Sequence, residues 1–146
     1  MTYILLFFNN QKMYIELDKQ QNAVRQINID ENCQSQLSCR NDCLAEGEIY
    51  EEDMDGDFEY ISSEIFEEKW SLEIRPYQLE WIQTKTKYSI GSKIVGRSLF
   101  FYPQGIVIEG DDFYGVYIGD MDYKLNQKIE AQVEAYDDKN MWLILV

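Results

Sequence analysis

The chain has 146 residues, 27 acids against 13 lysines and arginines, a net charge of −14 and no histidine. Its hydrophobic content of 45% is ordinary for a globular protein and argues against disorder. The missing histidine excludes Ser-His and Cys-His nucleophiles and histidine-bound metals within this chain, and the apolar runs are too short to span a membrane.

The charge is uneven. Residues 1–83 hold 18 acids and 6 bases, whereas residues 84–146 hold 9 and 7, so the negative field belongs mainly to the first part. Such a chain repels nucleic acid unless a local basic patch overcomes the field. One candidate patch exists, because Lys85, Lys87, Lys93 and Arg97 follow one another with no acid among them. Cys33, Cys39 and Cys43 make an odd count without a secretion signal, and reduced thiols are expected rather than a disulfide framework. Three thiolates would need a fourth, non-histidine ligand to hold zinc, so no metal and no cofactor are expected. The opening TYILLFF has neither a basic flank nor a small-residue cleavage site; it reads as a buried strand, and a cytoplasmic location is the default expectation.

In chain order, Tyr3–Phe8 predicts a strand ended by Asn9-Asn10. Met13, Ile15 and Leu17 then alternate with Lys12, Tyr14 and Glu16, and Ala23–Ile29 predicts a third strand, giving an antiparallel meander. Arg25 falls on the face of Ala23, Ile27 and Ile29; an inward arginine needs a carboxylate, with Glu16 or Glu46 as candidates. Leu37–Cys39 predicts a further short strand, and most of the stretch up to Tyr60 reads as loop.

Within that loop, Glu46, Glu48, Glu51, Glu52, Asp53, Asp55, Asp57 and Glu59 occur without one base. Asp53, Asp55 and Asp57 have the 1-3-5 spacing of a calcium loop, with Glu64 at position 12. The glycine falls at position 4 instead of 6, and no entering helix precedes it, so a solvated acidic face is the expectation. Next, Ser63 can cap a helix running to about Glu73, with Phe66, Trp70 and Ile74 recurring every four residues. Pro76 should end it, and Tyr77, Leu79 and Trp81 alternate like a strand leading to the polar joint Gln83–Lys87.

From Ile90 the glycines set the rhythm. Ile94-Val95 leads into Gly96, where a strand should bend; Arg97–Tyr102 continues it to Pro103. Gly105–Ile108 and Phe113–Ile118 predict two short strands. Ile129, Ala131, Val133 and Ala135 alternate with Glu130, Gln132 and Glu134, and after the Asp137–Asn140 turn Met141–Val146 closes the set.

The order Gly91-x-x-x-x-Gly96, Gly105, Gly115 and Lys128–Asp138 resembles the S1 branch of the OB-fold family over roughly the last 60 residues. Gln104-Gly105-Ile106 stands where that family carries Phe-Gly-Phe, which removes two base-stacking rings, and Asn126-Gln127 replaces its usual turn. The resemblance implies an S1-like barrel with an RNA-facing surface at Lys93, Arg97, Phe100, Phe101 and Tyr102. Across about residues 13–70, YIELD, AVRQI, the acidic loop and ISSEIFEEKW resemble small bacterial immunity-type domains of polymorphic toxin systems, which implies a toxin-like protein partner and no active-site residue.

The fold class expected is therefore α+β, mostly β: an antiparallel meander with one short helix over residues 1–83, then a five-stranded OB/S1-like barrel over 84–146. A non-enzymatic protein that neutralises a basic partner, such as a nuclease toxin, through Glu46–Glu59 is the leading functional expectation. Single-stranded nucleic-acid binding through the barrel is the alternative.

Overall fold

The computed structural model describes residues 1–54 and 56–146. The fold is α+β and mostly β, built as two compact units, Met1–Arg75 and Pro76–Val146. The division falls at the short 3-10 turn Arg75–Tyr77 instead of between residues 83 and 84.

In the first unit, β1 (Thr2–Phe8), β2 (Gln11–Leu17), β3 (Ala23–Ile29), β4 (Ser35–Leu37) and β5 (Asp57–Ile61) form one sheet in the order β4-β3-β2-β1-β5. The meander is as read from the alternation. Two details differ. β4 ends at Leu37, where the expected strand Leu37–Cys39 begins, because Leu37 pairs with Ile27 and Ser35 with Ile29. β5, expected to be loop, pairs antiparallel with β1. Helix α1 (Ser63–Ile74) is capped by the Ser62 hydroxyl, which accepts from the Ile65 N–H at 3.2 Å, and it buries Phe66, Trp70 and Ile74.

Arg25 ties α1 to the sheet. It is 2% exposed; its Nε and Nη2 donate to Glu16 at 2.7 and 3.0 Å, and its Nη groups also donate to Glu67 of α1. Phe66 and Trp70 flank the guanidinium at 4.9 and 5.1 Å. Burial opposes its charge, but the bonds to Glu16 and Glu67 outweigh that and hold its pKa above the ordinary value. Partial burial, with the neighbouring Glu16 carboxylate, pushes the Tyr3 phenol up to about 12. Glu46, an expected partner, is not used.

The second unit opens with helix α2 (Gln78–Lys87), where the spacing of Tyr77, Leu79 and Trp81 predicts a strand. The alternation misleads because Leu79 is 68% exposed; Trp81 and Thr84, one helical turn apart, are the buried pair. Trp81 Nε1 donates to Asp138 at 2.9 Å, fixing α2 on the turn between the last two strands. Pro76 precedes this helix, where its missing N–H costs nothing.

The barrel follows as expected: β6 (Lys93–Tyr102), β7 (Gly105–Glu109), β8 (Tyr114–Tyr117), β9 (Lys128–Asp137) and β10 (Trp142–Leu145), closed in the order β10-β8-β7-β6-β9. β10 runs parallel to β8 and antiparallel to β9, which is the connectivity of an OB-type barrel. β6 pairs with β9 through Lys93–Arg97 and with β7 through Arg97–Tyr102, so it curls around the ring. Gly96 sits at the inside of that curl. A Cβ there would lie 2.5 Å from Ile108 Cγ2 and 2.9 Å from the Glu109 carbonyl oxygen. The register shift lies slightly later, between Ser98 and Phe100. Ile94, Val107, Ile108, Val116, Ile129, Val133, Leu143 and Leu145 supply buried apolar side chains. No helix among the described residues is long and apolar enough to cross a membrane.

Candidate functional site

The acidic segment is a cover over one sheet face rather than a free loop. Leu44 is buried, and Ile49 and Met54 are half-buried beneath it. The Ile49 N–H donates to the Gln21 carbonyl at 2.8 Å, Glu48 bridges to Asn22, and the Ala45 N–H donates to Gln26 Oε1 at 2.8 Å. Glu51–Asp53 form a 3-10 turn, whose Asp53 carboxylate accepts from the Tyr50 N–H at 3.3 Å. With the apolar residues facing in, the carboxylates face out.

Glu46, Glu48, Glu51, Glu52, Asp53, Asp57 and Glu59 are all exposed, and none makes an ion pair with a lysine or arginine among the described residues. Asp55 lies outside the described residues. The set does not form one face. Asp57 and Glu59 stand opposite Phe7 and Leu5 across β5 and β1, whereas Phe58 and Tyr60 stand opposite Leu6 and Ile4. Side chains alternate across a strand, so Asp57 and Glu59 project to the α1 side and the Glu46–Asp53 stretch covers the other. On edge strand β5, the two acids also discourage pairing with a foreign strand.

Between the cover and the sheet lies a notch of about 220 Å³, lined by Ile4, Leu17, Gln21, Ile49, Tyr50, Glu51, Glu52, Met54 and Tyr60. Two tyrosines stand at its rim. The Tyr50 hydroxyl donates to Glu48 at 2.8 Å and the Tyr60 hydroxyl to Glu51, and these bonds raise both phenol pKa values. Tyr50 and Tyr60 were absent from the sequence-derived site; the alternation Asp57, Phe58, Glu59, Tyr60 is the signal that reveals β5 and turns Tyr60 toward Ile4.

The barrel surface is less basic than the sequence run implies. Lys85 pairs with Asp138 at 2.8 Å and Lys87 with Asp112 at 2.5 Å, so both belong to contacts made by α2. Lys93, Val95 and Arg97 project outward from β6 opposite Gln132, Glu130 and Lys128. Clefts of about 470 and 490 Å³ flank Val95, one with Lys93, Glu130 and Gln132, the other with Arg97, Glu109, Asp111 and Lys128. Of the three aromatics expected on this face, only Phe101 is exposed, at 53%. Phe100 is buried, a correction that follows from strand alternation, since it continues the inward set Ile94, Gly96 and Ser98; Tyr102 is half-buried, its ring centroid 4.7 Å from that of Phe100.

The thiols are separate in character. Cys33 is exposed, Cys39 buried, and the Cys43 thiol is pushed up to about 12 by burial and by Asp42, which keeps it protonated and a weak nucleophile. No group of three or more histidine, cysteine or carboxylate side chains able to hold a metal occurs among the described residues. No protein-family model matches the chain, and a search of curated proteins finds no match either.

Proposed function

We propose that the chain is a non-enzymatic binding protein whose acidic first unit neutralises a basic protein partner, such as a nuclease toxin. The observation that carries this reading is the Glu46–Asp53 cover: a folded segment, held by backbone bonds, that presents carboxylates without a counter-charge among the described residues. Like charges held together oppose the isolated fold, and a cationic partner relieves them. Complementary fields accelerate encounter, while buried contacts supply the affinity.

The test begins with the partner that crosslinks to the intact chain in its native cell at low salt, identified and then purified. The variant Glu51→Gln/Glu52→Gln/Asp53→Asn should slow association about tenfold at about 0.01 M salt, where the Debye length is about 30 Å. The difference should shrink near 0.15 M, where that length is about 8 Å. Melting should hardly change. Association that is equally fast for variant and parent at low salt removes the reading, as does a crosslinked partner that is acidic.

Single-stranded nucleic-acid binding is the second reading, favoured by the OB-type connectivity together with Lys93, Arg97 and exposed Phe101 on one strand. If an RNA oligonucleotide binds there, Phe101→Ala should cost about 1–3 kcal/mol, and Lys93→Ala/Arg97→Ala should flatten the salt dependence of binding. Phe100→Ala should act through stability instead, because its ring is buried. No binding of the parent to oligouridine at low salt eliminates this reading.

A further inference from the structure

We infer that the notch beneath the acidic cover receives one arginine or lysine side chain from the basic protein partner. This rests on the proposed function and gives it a recognition site. The notch has a layered lining suited to such a side chain. Ile4 and Leu17 close its floor and are fully buried, so the apolar surface open to a run of methylenes is that of half-buried Ile49 and Met54. Above them stand the Glu51 and Glu52 carboxylates and the half-exposed rings of Tyr50 and Tyr60, which attract a cation through charge and through the ring face.

Size agrees. About 220 Å³ is room for several non-hydrogen atoms, enough for the end of an arginine or lysine side chain. Other occupants fit worse. An anion meets the repulsion of Glu51 and Glu52, and an apolar group would cover those carboxylates without supplying a counter-charge. Among the described residues no lysine or arginine lines the notch. The charge complementarity therefore selects a cation, and the Ile49 and Met54 side chains suit one carried on a flexible stem.

The test uses N-acetyl-arginine amide as the probe and the backbone amide signals of the intact chain as the readout. The probe should shift Gln21, Ile49, Met54 and Tyr60 together and saturate in the millimolar range. The citrulline analogue, of nearly the same shape but neutral, should leave them in place. Gln21→Arg sets a resident guanidinium in the notch and should weaken probe binding about tenfold; Tyr60→Ala, on an edge strand, should weaken it by removing one ring. Asp57→Asn changes net charge by the same amount as Gln21→Arg, on the other sheet face, and should leave probe binding within about twofold of the parent.

Shifts that scatter over Glu46, Asp57 and Glu59 without saturating overturn the inference, as does equal binding of citrulline. Saturation of the same signals by spermine at lower concentration overturns the choice of a protein side chain in favour of a free polyamine. The two levels of the argument remain separable. An empty notch with partner association still slowed by the Glu51/Glu52/Asp53 variant sinks the notch alone; a filled notch with association unchanged in that variant sinks the electrostatic reading.

Discussion

Arg25→Ala is expected to destabilise the first unit by about 3–5 kcal/mol. The loss does not measure the worth of a salt bridge. It measures what remains when Glu16, itself buried, and Glu67 face a hole where the guanidinium stood. Phe66 and Trp70 lose the planar group they flank, and α1 loses its polar tie to β2 and β3. Replacing the whole cluster together, as Arg25→Met/Glu16→Leu/Glu67→Gln, should recover most of the stability, since an apolar set of similar volume does not strand a charge. Urea unfolding followed by the amide signals of Ile15 and Ile27 reads both variants. A loss below about 1 kcal/mol for Arg25→Ala would place the two carboxylates in water and contradict the buried geometry.

Charging the barrel interior is the second large effect. Val133 is 1% exposed on β9 and stands opposite Leu145, while its own N–H and carbonyl bond to the Ser92 carbonyl and the Gly91 N–H at 2.9 and 2.8 Å. Val133→Glu would bury a carboxylate with no basic partner, at a cost of several kcal/mol, and the second unit should unfold. Its neighbour points the other way. Glu134→Lys lies on the exposed side of the same strand and should change stability by no more than about 0.5 kcal/mol. Thermal unfolding followed by the amide signals of Leu143 and Leu145 decides the matter; equal effects at the two positions would remove the inward assignment of Val133.

The contrast between these neighbours was legible from the alternation Ile129, Ala131, Val133, Ala135 alone, because a strand with one buried face writes its period into the sequence. The same locality explains why all five barrel strands could be read. Gly96, Gly105, Pro103 and the Asp137–Asn140 turn mark bends by backbone rules that need no distant partner. The α1 pattern of Phe66, Trp70 and Ile74 was equally local.

Elements whose identity depends on distant packing were not legible in this way. Tyr77, Leu79 and Trp81 satisfy strand alternation, yet residues 78–87 are helical because Trp81 and Thr84 are the pair that finds cover, with Asp138 receiving the indole N–H. Arg25 announced a need for carboxylates, but its second partner, Glu67, comes from a helix more than one meander away in sequence. The acidic run showed its charge and not its geometry. Pairing of β5 with β1 sends Asp57 and Glu59 to one side of the sheet and turns Tyr60 toward the notch on the other. Composition and periodicity determined the two β-rich units, the inward residues of each strand and the unbalanced acids. Non-local pairing alone decided which acids stand together, since a strand's two faces acquire different neighbours only when its partner is in place.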